Sequence, residues 1–273
     1  MTKVLNGSEL ASYIKERQAR QVRGLRQAWK VFPKLVIIKP LGASEVINTY
    51  VRLKQRYGED ILVQTEIEAV SDDEMPALIE RLNNDETVHG IIVQLPLDNP
   101  AKTDDILRHI SPEKDVDGLA PHAAFDSATA MAIHWLLAGY GIDLLGKRIA
   151  IVGKGRLVGA PLARMWQQSG YNVTILDKST PDIAQILRDS DVVVTATGVP
   201  HLITADMLGI GAVVVDAGTA SEDGVIVGDI DASVRQRDDL IITPEKGGVG
   251  PLTVTALFDN VITAARSTAQ DED

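Results

Sequence analysis

Short runs rich in Val and Ile recur along this chain and alternate with longer amphipathic stretches, and that alternation constrains the fold more than any other feature. Uninterrupted apolar runs of roughly four to eight residues belong to strands buried on both faces, as in parallel sheets covered by helices. An opening helix is predicted from about Ser8 to Trp29, with Leu10, Ile14, Val22 and Leu25 along one side. A strand (Leu35–Lys39), a helix (about Ala43–Tyr57), a strand (Ile61–Glu66) and a helix (about Asp73–Leu82) follow. Gly90–Leu97, GIIVQLPL, reads as a further buried strand that stops at Pro96 and completes an N-terminal α/β unit of about 120 residues.

A second unit follows the same logic. Arg148–Val152 is a predicted strand, Gly153–Gly159 a glycine-rich turn, Ala160–Ser169 a helix and Asn172–Leu176 the next strand. A short helix (Ile183–Arg188) and strands at Val192–Ala196, Ala212–Asp216 and Leu240–Thr243 complete a Rossmann-type alternation. An amphipathic helix from about Phe125 to Ala138 joins the units, and a last helix runs from about Val254 to Thr268. The expected fold class is α/β in two domains.

With 273 residues and 45% apolar content, the chain can bury a sizeable core. Its formal net charge of −11 lacks the electrostatic footprint of a general nucleic-acid or anionic-membrane binder. Phosphorylated ligands stay accessible to such a chain, because helix N-termini and local Lys or Arg hold them. The absence of cysteine excludes disulfides, thiolate metal sites and a Cys nucleophile. The opening MTKVLNGSELASYIKERQ has no apolar run of signal-peptide or membrane-span length, so a soluble, cytoplasmic protein is expected. Five scattered histidines (His89, His109, His122, His134, His201) form no ligand spacing, and no catalytic metal is expected.

Gly153-Lys154-Gly155-Arg156-Leu157-Val158-Gly159 follows an apolar strand and opens a helix, as a dinucleotide pyrophosphate site requires. The spacing is GxGxxxG, one residue longer than the usual fingerprint. Asp177 ends the next strand, 22 residues after Gly155, where an acid accepts hydrogen bonds from adenosine ribose hydroxyls and repels a 2′-phosphate. NAD is therefore favoured, while Lys154, Arg156 and Lys178 keep NADP open, since each could pair with that phosphate. The alternative is a plain tight turn with Asp177 capping a strand.

Tyr50 and Lys54 are four residues apart on a predicted helix and share a face. In a cleft, a partly desolvated lysine has a lowered pKa suited to proton transfer, with the tyrosine holding it in position. By spacing alone, a solvated lysine beside a half-buried tyrosine fits better. Gln94 interrupts an apolar strand and either satisfies a buried backbone group or points into a site. In Lys114-Asp115-Val116-Asp117-Gly118 the two acids either make turn contacts or serve a ligand.

The segments ASEVINTYVRLK, GIIVQLPL, PEKDVDG, GKGRLVGAP, VTATGVP, VVDAG, VGDID and ITPEKGGVGPLT occur in the order of one family. Over nearly its whole length the chain resembles the bifunctional methylenetetrahydrofolate dehydrogenase/cyclohydrolases. The resemblance implies a folate-binding catalytic domain (1–122, completed by the helix at 253–273) and an NAD(P)-binding domain (123–252). It implies Lys54 as the central residue of the cyclohydrolase step, on a Tyr50–Lys54 helix that faces a cleft between the domains, with Gln94 as its support, Tyr50 as a folate-positioning residue and Asp117 as the pterin-ring acceptor. Gly248 and Pro251 would line the folate site from the C-terminal loop. Thr197, Gly198 and Gly218 would join Gly153, Lys154, Gly155, Arg156, Gly159, Asp177 and Lys178 around the dinucleotide. Oxidation of 5,10-methylenetetrahydrofolate, hydrolysis of the methenyl product and a homodimer built through the second domain are the implied activity and assembly. The rival readings are a cyclohydrolase alone, a shikimate- or amino-acid-type dehydrogenase, and a non-catalytic nucleotide- or folate-binding protein.

Departures from the family pattern concern the cofactor loops and neighbouring segments. Gly155 stands where relatives usually carry serine, and Asp177-Lys178-Ser179-Thr180 replaces His-Ser-Arg-Thr. Both changes remove groups that suit NADP. Ser127-Ala128-Thr129-Ala130 replaces Pro-Cys-Thr-Pro, and Glu245-Lys246 replaces Val-Pro ahead of Gly247-Gly248.

Overall fold

The computed structural model describes residues 3–222 and 225–270. The chain opens with β1 (Lys3–Val4) and α1 (Gly7–Gly24), prolonged by a π-type turn over Leu25–Trp29. Then come β2 (Lys34–Pro40), α2 (Glu45–Ile61), β3 (Gln64–Val70), α3 (Met75–Asn83), β4 (Gly90–Val93) and α4 (Thr103–Arg108). After α5 (Ala128–Gly139) follow β5 (Arg148–Val152), α6 (Gly159–Gln168), β6 (Asn172–Leu176), α7 (Ile183–Arg188), β7 (Val192–Thr195) and β8 (Val213–Asp216). The hairpin strands β9 (Ala220–Glu222) and β10 (Val225–Val227), then α8 (Ala232–Arg235), β11 (Ile241–Ile242) and α9 (Val249–Gln270), end the fold.

Two compact units result: residues 12–128 with those from 254 on, and residues up to 11 with 129–253. The opening residues thus sit with the nucleotide-type unit rather than with the N-terminal one to which the sequence reading assigned them. The cause is β1, which pairs in parallel with β11 (Lys3↔Ile241, Val4↔Ile242) and is extended by a Leu5 N–H to Ile242 carbonyl bond of 2.9 Å. Residues 123–128, read as the start of the second domain, instead pack in the first unit, where the Ala128 N–H reaches the Asp117 carbonyl at 3.3 Å.

In the first unit a parallel sheet of order β3-β2-β4 carries the fold. Val36, Ile38, Ile91 and Val93 pack on Met75, Leu78, Ile79 and Leu82 of α3 and on Ile106 and Leu107 of α4. Each such side chain contributes about 1.5–3 kcal/mol on leaving water. Three predicted boundaries move. α2 takes Ile61 as its last buried residue, and Leu62 ends it in the left-handed region (φ 67°), so β3 begins only at Gln64. β4 ends at Val93, four residues before Leu97, and Gln94 stands at its carboxyl end.

The second unit is a parallel sheet of order β1-β11-β8-β7-β5-β6. Val152, Val193, Val214 and Ile242 from four of its strands meet Leu187 and Val234 from the covering helices. From β5 the chain runs outward to β6, then returns to place β7 on the opposite side of β5. That reversal is a switch point, where open α/β sheets bind ligands beyond their strand ends.

Candidate active site

On α2, Ile47, Val51, Gly58 and Ile61 are buried, and Ser44 caps the helix by accepting the Ile47 N–H at 3.3 Å. Lys54 falls on that same stripe, three residues after Val51 and four before Gly58, so the helix carries a lysine at a position its periodicity reserves for the core. Its ammonium donates to Oε1 of Gln94 at 2.6 Å, and the Gln94 amide donates onward to the Leu95 carbonyl at 3.3 Å. The half-buried Tyr50 lies one turn before Lys54, and burial raises its hydroxyl pKa, keeping the proton on. Burial lowers the Lys54 pKa, opposed by the negative charge of Asp117. Burial likewise raises Asp117, opposed by Lys54. In both groups desolvation outweighs the mutual attraction.

The two acids of the Lys114–Gly118 segment have separate jobs. Asp115, 1% exposed, accepts the N–H groups of Gly118 (3.1 Å) and Ala120 (2.7 Å) and closes the turn. Burial pushes its carboxyl up to about 6. Lys114 donates to the carbonyls of Leu82, Asn83 and Asp85 at 2.8–2.9 Å and locks the segment to the end of α3. Asp117 alone acts electrostatically on Lys54.

In the other unit, Gly153 (φ 103°) stands at the end of β5, where a Cβ would lie 2.5 Å from the Ala196 carbonyl oxygen. A Cβ on Gly159 would strike the Gly153 carbonyl, so the helix starts directly against the strand end. Gly155 has space: its nearest neighbour would be the Ala196 oxygen at 3.9 Å. Two of the three glycines are therefore required by close backbone approach, which fits a dinucleotide pyrophosphate cradle, and the third is free to vary. At the end of β6, Asp177 accepts from the N–H and hydroxyl of Ser179 at 2.9 and 2.5 Å. Those bonds, with Lys154 and Lys178 nearby, lower its pKa and keep it anionic. Beyond β7, the Thr197 N–H donates to Oδ2 of the fully buried Asp229 at 2.6 Å, and Gly218 packs where a Cβ would meet the same carboxylate.

Asp216 gathers the neighbouring strand ends. It accepts from the Thr195 hydroxyl (3.2 Å) and from the N–H groups of Gly218 (3.0 Å), Asp229 (3.1 Å) and Ile230 (3.3 Å). Arg235 reaches Asp216 at 3.9 Å, Glu245 at 3.5 Å and the Thr243 carbonyl at 2.9 Å. The charge gained at Glu245 therefore has a partner on α8. Among the described residues, no three His, Asp or Glu side chains gather in a metal-holding group.

The model of the tetrahydrofolate dehydrogenase/cyclohydrolase catalytic domain matches residues 5–117, and that of the family's NAD(P)-binding domain matches residues 127–269. The chain belongs to the tetrahydrofolate dehydrogenase/cyclohydrolase family. A bifunctional protein FolD of Staphylococcus aureus is 36% identical, over 97% of each chain. The FolD crystal structure from Campylobacter jejuni superposes with a TM-score of 0.92 at 33% identity, covering 98% of this chain and 100% of that one. The Trypanosoma brucei enzyme, solved with NADP cofactor and an inhibitor, gives 0.90 at 32% identity over 98% of each chain.

Within this member of the tetrahydrofolate dehydrogenase/cyclohydrolase family, Tyr50, Lys54, Gln94 and Asp117 lie in the first unit. The ends of β5 to β8 carry Gly153, Lys154, Gly155, Arg156, Gly159, Asp177, Lys178, Thr197, Gly198 and Gly218. Gly248 and Pro251 fall in the second unit, Gly248 buried against Gly7 and Pro251 in the first turn of α9. Sequence reasoning gave no role to Asp216, Asp229 or Asn260. Asp216 and Asp229 were within reach, since both follow apolar runs inside the quoted VVDAG and VGDID segments. Asn260 carried a fainter signal, as an amide between buried Phe258 and Val261 on an apolar helix face.

Proposed function

We propose that the chain oxidises 5,10-methylenetetrahydrofolate with NAD, or less well NADP, and hydrolyses the resulting 5,10-methenyltetrahydrofolate to the 10-formyl compound. The observation that carries the reading is Lys54, on the buried stripe of α2, bonded to Gln94 and held within electrostatic reach of Asp117. When bound, the dinucleotide supplies the hydride acceptor for the first step; Gly153 and Gly159 would lie against its pyrophosphate and Asp177 against its ribose. That intact cradle favours the two-step reading over one confined to hydrolysis.

The methenyl product is a cation at its one-carbon bridge, and water adds there. One proton leaves as the C–O bond forms; one C–N bond then breaks as the new hydroxyl gives up its proton to form the carbonyl and the departing nitrogen takes up a proton, so one proton is released overall. Lys54 handles the first proton, either taking it from the water or returning it to the departing nitrogen. Burial lowers the energy gap between its two protonation states, which suits either direction. Gln94 fixes where the ammonium points. Asp117 accepts N–H donors from the amino-pyrimidine edge of the pterin, and its anionic form makes those bonds strong. Tyr50, with its proton retained, orients the folate. Gly248 and Pro251 contribute to folate binding. No described helix is long and apolar enough to cross a membrane. A cytoplasmic homodimer built through the second unit is the assembly, supported by β6, which pairs only with β5 among the described residues and so leaves a sheet edge.

Given 5,10-methylenetetrahydrofolate, the protein is expected to reduce NAD in preference to NADP. Asp177→Ser removes the charge that opposes a 2′-phosphate, while Lys154 and Lys178 remain, and the NADP/NAD ratio of kcat/KM should rise about tenfold or more. An unchanged ratio would show that Asp177 does not face the ribose.

A further inference from the structure

We propose that Asn260, on α9, is a positioning residue for Asp117, holding the turn from which that carboxylate meets the folate and acts on Lys54; the proposal rests on the role given to Asp117 above. Asn260 is 4% exposed, and its amide nitrogen donates to the carbonyls of Val116 (2.8 Å) and Asp126 (3.2 Å). Val116 directly precedes Asp117 and is wedged so closely on β4 that a Cβ at Gly90 would lie 2.9 Å from its Cγ2. Gly118 directly follows, with φ 68°, and a Cβ there would lie 2.6 Å from the backbone of both Asp126 and Ser127. The Ala128 N–H holds the Asp117 carbonyl from the same side at 3.3 Å. Asp117 is thus suspended between two pinned neighbours, and one amide ties the strand-side pin to the segment against which the other is pressed.

That amide uses both of its N–H groups, one for each carbonyl, and no apolar side chain of similar size could satisfy either. Around Asp117 the other ionisable groups are Lys54 on α2 and Asp115 in the turn. Asp115 secures Gly118 and Ala120, downstream of Asp117. Without Asn260, the turn keeps its downstream half and the Lys114 anchor, and loses the tie at Val116, the residue next to Asp117.

The test is a cycle of Asn260→Ala, Asp117→Ala and the double variant, in the full chain, read by the hydrolysis of supplied 5,10-methenyltetrahydrofolate. Asn260→Ala is expected to raise the folate KM about tenfold with kcat changed less than about threefold, and to leave NAD affinity as it was. In the Asp117→Ala background the same change should add nothing to KM, because the group it positions is already gone. If the alanine variant does not fold, Asn260→Ser, which keeps one donor, should show a smaller KM increase that again vanishes beside Asp117→Ala. An equal KM increase in both backgrounds, or a parallel loss of NAD affinity, would mark general loosening and overturn the proposal. A raised KM in Asp117→Ala beside an unchanged one in Asn260→Ala overturns it alone. An unchanged KM in Asp117→Ala overturns the role of Asp117, and the proposal with it.

Discussion

Lys54→Ala is expected to lower the hydrolysis of supplied 5,10-methenyltetrahydrofolate by about a thousandfold, the scale on which a positioned acid–base group acts. The variant removes the one amine that Gln94 orients on the buried stripe of α2. Folate should still bind measurably, since Tyr50 and Asp117 remain. NAD affinity should not change, because the glycine loop at β5 and α6 belongs to the other compact unit. Asp117 would lose the charge that opposes its desolvation, so its carboxyl should titrate still higher in the variant than in the native protein. Following hydrolysis at saturating folate separates rate from binding. Hydrolysis within a few-fold of the native rate would remove Lys54 from the chemistry.

Gly159→Ala is the counterpart in the nucleotide unit. The added methyl would run into the Gly153 carbonyl, and neither backbone can retreat: Gly153 is itself pressed on Ala196 at the end of β5. Overpacking of this kind costs about 1–3 kcal/mol, and here the strain falls on the turn that receives the pyrophosphate. NAD affinity should fall at least about thirtyfold, equivalent to roughly 2 kcal/mol, with dehydrogenase activity falling alongside. Hydrolysis of supplied methenyltetrahydrofolate should persist. Gly155→Ser, two residues from Gly153, should lower the unfolding temperature little, since a Cβ there has room. Titration of NAD into both variants, with thermal unfolding beside it, checks the contrast; equal behaviour of the two would contradict the packing argument.

What could be read from residues alone follows from where the physics is local. β6 and α7 keep their predicted boundaries because turn residues bracket one clean periodic run in each. Ile61-Leu62-Val63 belonged by composition to helix and strand alike, and the left-handed Leu62 between them decided the division. β1 was invisible, since a two-residue strand with both side chains exposed exists only through its pairing with β11. Lys54 was more legible than its spacing from Tyr50 suggested. A lysine three residues after Val51 and four before Gly58 interrupts a core stripe, and that signal is independent of any resemblance. The Asp117 turn lies at the other extreme. Its tie to Asn260 spans more than 140 residues of sequence, and only the packing of α9 brings the two together.

Whether one chain carries both steps is decided by supplying 5,10-methylenetetrahydrofolate and NAD and following reduced dinucleotide and folate products separately. NADH formation matched by 10-formyltetrahydrofolate is expected, with methenyltetrahydrofolate passing through faster than its spontaneous hydrolysis allows. NADH formed while methenyltetrahydrofolate accumulates and decays only spontaneously would leave a dehydrogenase without the Lys54 chemistry, and would contradict that expectation.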